Sequence, residues 1–177
     1  MKKLKTVLPF SALLALIIFG ASSLTSSNPS EFDRGIIEFG VVVEDFEKSY
    51  DFYVNVLGMT QTGGFDVDEE FGKRSGLTGG EPFKVAILKL KDSDQSTQWK
   101  IMSFNKKPTH PKPNFIQDDT GVQYVTIFVK SMKPFLERIK KNKVTLLGDT
   151  PTALDENTQF VLIQDPSGTF IELIGPQ

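Results

Sequence analysis

From Ile36 to Val43 the chain is apolar at nearly every position, interrupted by Glu38, and then its period changes. Asp45 is followed by Phe46, Tyr50, Tyr53 and Leu57 at i, i+4, i+7 and i+11, which set one apolar stripe along a helix. Asp45 suits the N-cap of that helix, and Gly58 stands where a helix-ending glycine belongs. The pattern predicts a buried strand followed by an amphipathic helix. Glu38 is the position that core packing does not explain. It reads as a metal ligand, a base, or a charge that reaches solvent.

The second half repeats the sequence of patterns. "GVQYVTIFVKSMKPFLERIKKNKV" is a β-branched and aromatic run, then Ser131 as a cap, then Met132, Phe135, Leu136 and Ile139 at helical spacing. Laying Gly35 on Gly121 is an offset of 86 (121 − 35), and it carries Val43 onto Val129 and Asp45 onto Ser131. Three strand-like runs follow each helix. They are "MTQTGGF", "PFKVAILKLK" and "STQWKIMSF" in the first half, and "KVTLLGD", "TQFVLIQD" and "GTFIELIG" in the second. An Asp165-Pro166-Ser167-Gly168 turn separates the last two. Two βαβββ modules predict an α+β fold in which helices pack outside curved sheets.

Matching Lys100 to Glu172 gives an offset of only 72 (172 − 100), so module one carries an insertion of about 14 residues. Its place is Asp66 to Gly80, a stretch that reads as a lid or as a solvated excursion. Between the modules, "NKKPTHPKPN" holds three prolines and the only histidine, His110. It reads as an extended linker, and His110 as a linker residue, since nothing offers the paired spacing of a zinc site.

Residues 1–23 follow the order of a secretory signal peptide: Lys2, Lys3 and Lys5, an apolar run from Val7 to Phe19, then small residues from Gly20 to Ser23. The run is shorter than the roughly 20 residues of a membrane span, so the expectation is cleavage and a periplasmic or secreted product. An uncleaved N-terminal membrane anchor is the alternative. Residues 24–34 read as a linker, 35–105 as module one, 106–120 as the Pro-rich connection and 121–177 as module two. The chain of 177 residues contains no cysteine, which excludes disulfides, thiolate metal sites and cysteine nucleophiles. A net charge of −2 gives no footprint for nucleic acid, and none is expected for a membrane surface once the leader is removed.

With "GVVVEDFEKSYDFYVNVLGM" and the closing "FVLIQDPSGTFIELIGP" in view, the chain resembles the vicinal oxygen chelate superfamily. That group includes glyoxalase I, methylmalonyl-CoA epimerase, ring-cleaving dioxygenases and bleomycin- or fosfomycin-resistance proteins. The resemblance spans Ile36 to Pro176 and implies two modules joined in an open cup. It also implies a divalent metal there, held by the first and last strands of each module. Carried over by position, those sites are Glu38 and Lys100 in module one and Tyr124 and Glu172 in module two. Glu38 and Glu172 suit a hard divalent ion. Tyr124 is a protonated phenol at neutral pH, and an ammonium such as Lys100 has no lone pair to donate. A register slip of two residues would bring Gln98 into the cup in place of Lys100.

Two carboxylates facing one cavity need a cation between them. The Lys100 ammonium can take the metal's place, bridging Glu38 and Glu172, which is the reading placed ahead of a retained divalent metal. The functional expectation is an exported protein that binds a small oxygenated molecule, with Tyr124, Lys100 and Gln98 contacting it. The alternative is a metal-dependent lyase, isomerase or epimerase of a small carbonyl compound, with Glu172 or Glu38 as base. A two-His-one-carboxylate iron site is excluded by the single histidine. A homodimer remains open.

Overall fold

The computed structural model describes residues 31–177, of which Gly35–Gln177 forms one compact unit. The expected signal peptide and most of the 24–34 linker lie outside the described residues. Among the described residues no helix is long and apolar enough to cross a membrane.

The two-module α+β architecture is present. Module one contains β1 (Phe39–Val42), α1 (Phe46–Asp51), β2 (Thr60–Val67), α2 (Glu69–Ser75), β3 (Phe83–Lys89) and β4 (Trp99–Met102). Module two contains β5 (Tyr124–Phe128), α3 (Lys133–Lys141), β6 (Thr152–Ala153), β7 (Gln159–Gln164) and β8 (Phe170–Gly175). Each module is a four-stranded mixed sheet, in the orders β1-β4-β3-β2 and β5-β8-β7-β6. In both, the first strand runs parallel to the last and the rest pair antiparallel.

The duplication extends to the register. Gly40 lies opposite Lys100 and Thr126 opposite Glu172. The first-strand offset is therefore 86 (126 − 40) and the last-strand offset 72 (172 − 100), as the sequence repeat predicts. Strand alternation then gives each sheet one face toward the helices and one away from them. On β4, Trp99 and Ile101 are buried while Lys100 and Met102 are only half-buried.

The first helix starts as expected, with Asp45 accepting the Lys48 N–H at 3.0 Å. It then widens into a π-helical segment, Phe52–Val56, and ends at Gly58 with φ 79°. The i→i+5 winding turns Phe52, Tyr53, Val56 and Leu57 all inward, whereas a regular 3.6-residue stripe would have used Tyr50 instead of Phe52. Tyr50 stays half-buried and donates to Gln61 Oε1 at 2.9 Å.

Three expectations need correction. "KVTLLGD" is no strand: it makes one ladder-type bond, Leu147 N–H to Leu162 O at 2.9 Å, before Gly148 turns at φ 60°. Pro151 has no N–H to pair, so the edge strand forms later, at Thr152–Ala153. Ser131 is not the cap of α3. Met132 holds that position without a side-chain bond, its own N–H taken by Pro176 O at 2.6 Å. The Asp66–Gly80 insertion is largely ordered, as the end of β2 and the helix α2, capped by Asp68 Oδ1 on Phe71 N–H at 2.7 Å and closed by Gly76.

The modules share one core, in which Phe52, Tyr53, Leu88 and Trp99 of the first meet Ile127, Met132, Ile139 and Val161 of the second. Of the polar contacts that cross that boundary, two are the shortest. Tyr53 Oη donates to Asp165 Oδ2 at 2.6 Å, with both residues fully buried. Arg138 Nε donates to Val56 O at 2.8 Å, placing a cation on the C-terminal carbonyls of the first helix while its guanidinium covers the Phe135 ring at 4.4 Å. Each module's first strand ends beside the other module's last hairpin. Val42–Glu44 and Ser167 line one cavity of about 320 Å³, and Thr126–Ser131 and Leu90–Thr97 line another of about 830 Å³.

Candidate functional site

Of the four positions singled out in the sequence, Glu38 and Lys100 pair with each other in module one, while Tyr124 and Glu172 stand on the sheet of module two without a contact between them. In module one, Lys100 Nζ stands 2.6 Å from Glu38 Oε2. Their side chains are 27% and 20% exposed, so this pair is more shielded than an ordinary surface ion pair. In module two, Thr126 Oγ1 donates to Glu172 Oε2 at 2.6 Å. Tyr124 precedes Thr126 by two residues and shares its side of β5, with 46% of its surface exposed.

The pseudo-symmetry explains why the pairs differ. Module two has a hydroxyl, Thr126, directly opposite its last-strand acid, so Glu172 is satisfied by its register partner. Module one has Gly40 at that position, with no side chain to offer. Lys100 therefore reaches to Glu38, two residues earlier on the chain. The bridge of one ammonium between both carboxylates is not what the contacts describe: Lys100 pairs with Glu38, and Glu172 takes a hydroxyl.

Gln98 lies just before β4, half-buried, with its carbonyl accepting the Phe39 N–H at 2.9 Å. This bond extends the parallel β1–β4 pairing by one step and sets Gln98 two residues from Lys100 on the same side. His110 stays in the exposed connection, its Nδ1 3.2 Å from Pro111 O and 3.7 Å from Asp119 Oδ2. Sequence reasoning missed Thr126. The signal was present in the alternation, because the residue two beyond Tyr124 must share its face and meet the last strand.

A divalent ion does not fit this donor set. Glu38 already has an ammonium on one carboxylate oxygen, and a second cation beside Lys100 would be repelled. No group of three or more His, Cys, Asp or Glu placed to hold a metal occurs among the described residues. What the arrangement offers is a neutralised acid–base pair, a hydrogen-bonded carboxylate, an exposed phenol and apolar surface at Val42 and Phe128. Thr126 and Phe128 also line the 830 Å³ cavity, which places Glu172's hydroxyl partner at its wall. That volume lies in the range of small-molecule sites.

A family model described as the Glyoxalase/Bleomycin resistance protein/Dioxygenase superfamily matches residues 35–173. Among solved structures, a glyoxalase family protein from Bacillus cereus superposes with a TM-score of 0.65 at 19% identity, covering 84% of this chain and 97% of that one. The trypanothione-dependent glyoxalase I of Leishmania major gives 0.55 at 20% identity, over 80% of this chain and 86% of that one. The fosfomycin resistance protein FosX of Listeria monocytogenes gives 0.51 at 15% identity, over 82% and 96%. At these identities the likeness is one of fold. No curated protein matches the chain.

Proposed function

Since the chain belongs to the glyoxalase/bleomycin resistance protein/dioxygenase superfamily, we propose that it is an exported member that binds a small oxygenated molecule in its cup without a metal. The observation that carries this reading is the 2.6 Å pair between Lys100 and Glu38, an internal cation standing at a position where the family resemblance implies a ligand. The ammonium and the Tyr124 hydroxyl supply donors for a ligand's oxygens, and Glu172 supplies an acceptor. A ligand carbonyl or carboxylate docks toward Lys100 and a ligand hydroxyl toward Glu172.

One observation favours chemistry as well as binding. Glu172 is held at a fixed position by Thr126, and a fixed carboxylate beside a bound carbonyl compound is the minimum arrangement for moving a proton. The two readings separate in one experiment. Protein dialysed against a chelator is titrated with small hydroxycarbonyl compounds and followed for both binding and turnover. Binding is expected to survive chelation and to weaken about tenfold in Glu172→Gln, the loss of roughly one charge-assisted hydrogen bond. Turnover that survives chelation and vanishes in Glu172→Gln would establish the enzyme in place of the binder. Loss of binding on chelation would sink the metal-free site.

Export rests on the N-terminal sequence alone. N-terminal sequencing of the protein recovered from fractionated cells is expected to find a mature end between Gly20 and Ser23, in the envelope or medium fraction. An intact Met1 would instead favour the anchor.

A further inference from the structure

On the helical side of the molecule, a cavity of about 510 Å³ lies between the π-helical segment and the far end of α3. Neither Lys100 nor Glu172 lines it. Three lysines reach it from three separate stretches of chain: Lys48 on α1, Lys112 on the Pro-rich connection and Lys143 just beyond α3.

Lys112 is held in place. Its Nζ donates to Asp165 O at 3.2 Å, and its stem lies so close to Gly168 that a Cβ there would stand 3.0 Å from Lys112 Cγ. The connection is itself strapped down by Gln164 Nε2, which donates to Pro113 O at 2.8 Å. Lys48 and Lys143 have no carboxylate within ion-pair distance among the described residues.

Lys143 sits in the turn that ends α3. Its φ is 56°, in the left-handed region, at the position after a helix where glycine is preferred. The bonds Lys143 N–H to Lys140 O at 3.1 Å and Val144 N–H to Ile139 O at 3.0 Å complete the usual helix-ending turn around it.

Two acids, Asp51 and Asp165, also line the cavity and are held by neutral donors. Asp165 accepts from Tyr53 Oη and from Thr169 N–H at 2.8 Å, and Asp51 accepts the Asn55 amide at 2.5 Å. The carbonyls at the end of α3, which would repel an anion, are bonded to Lys143, Val144 and the Asn142 amide. Three ammonium groups, all on exposed residues, therefore face two carboxylates around the cavity, and its lining keeps one net positive charge.

We propose that this cavity binds a small multivalent oxyanion, a phosphate group or a polycarboxylate, as a site separate from the cup. The test is calorimetric titration of the purified protein with inorganic pyrophosphate and with citrate, against sodium chloride at matched ionic strength. Saturable one-to-one binding is expected, weakened about tenfold by Lys143→Gly and by Lys48→Gln, and about a hundredfold by both together. Binding of pyrophosphate alone assigns a phosphate ligand, and of citrate alone a carboxylate. Lys143→Gly also relieves the left-handed backbone, so its thermal midpoint is expected to hold or rise, and lost binding cannot be ascribed to lost fold. Heats no larger than those of chloride would overturn the proposal, as would affinities unchanged in both single variants.

Discussion

Asp165→Ala is expected to lower stability by about 3–5 kcal/mol. Asp165 is fully buried and spends its carboxylate on two donors, Tyr53 Oη from module one and Thr169 N–H within its own turn. Removing it loses both bonds and leaves the buried Tyr53 hydroxyl without its partner, and an unpaired buried polar group is costly. At roughly 2–4 °C per kcal/mol for a domain of this size, the thermal midpoint should fall by about 6–20 °C. Tyr53→Phe removes only one bond and is expected to cost about 1.5–3 kcal/mol.

The same pair has a pH signature. Burial, and after it the charge of Asp165, raises the Tyr53 pKa far above its ordinary 10.0. The folded protein keeps this phenol protonated where the unfolded chain loses the proton. Its contribution to stability is therefore complete below pH 10 and falls above it, by about 1.4 kcal/mol per pH unit. Denaturant melts from pH 9 to 11 should show this alkaline decline, reduced in Tyr53→Phe. An identical decline in the variant would remove Tyr53 as its source.

Gly175→Ala is the second large effect, at about 3 kcal/mol. A Cβ on Gly175 would stand 2.3 Å from Val129 O and 2.6 Å from Val129 Cγ2, distances that no side-chain rotation relieves because the nearer atom is backbone. Nor can that backbone retreat easily. Val129 N–H is tied to Ile174 O at 2.8 Å, and Met132 N–H to Pro176 O at 2.6 Å. Overpacking of this kind reaches the upper part of its usual range when neither partner can yield. The control is Gly40→Ala, whose Cβ would meet Met102 Cε at an ordinary 3.6 Å and should cost less than about 1 kcal/mol. Equal urea midpoints for the two variants would refute the steric account.

Much of this fold was legible in the sequence because strand alternation and a repeated module leave arithmetic traces. The offsets of 86 and 72 are visible without coordinates, and they decide that Glu38 corresponds to Tyr124 and Lys100 to Glu172. The π-helical winding was not legible, since a 3.6-residue template applied to Phe46–Leu57 returns a plausible stripe and conceals the extra residue per turn. The helix in the insertion was flanked by readable caps, Asp68 and Gly76, but Glu69–Ser75 carries only one large apolar residue, Phe71, so periodicity was silent. "KVTLLGD" has the composition of a strand, and its apolar residues are indeed half-buried. What it lacks is a ladder longer than the single Leu147–Leu162 bond, because Gly148 turns the chain at once, and pairing is a property of two segments. The Tyr53–Asp165 lock joins residues 112 apart and had no local signal at all.

The direct parallel pairing of first and last strands also sets how freely each module can grow. Closing module one brings together Gly40 and Lys100, 60 residues apart, and closing module two brings together Thr126 and Glu172, 46 apart. Loop-closure entropy rises only with the logarithm of length, so the longer circuit costs about 0.2 kcal/mol more than the shorter one. The hairpin tip between β2 and β3 is thus nearly free to lengthen, shorten or fold into a helix. The row that sets Lys100 opposite Gly40 is fixed by hydrogen bonds at the other end of the module and does not register the change.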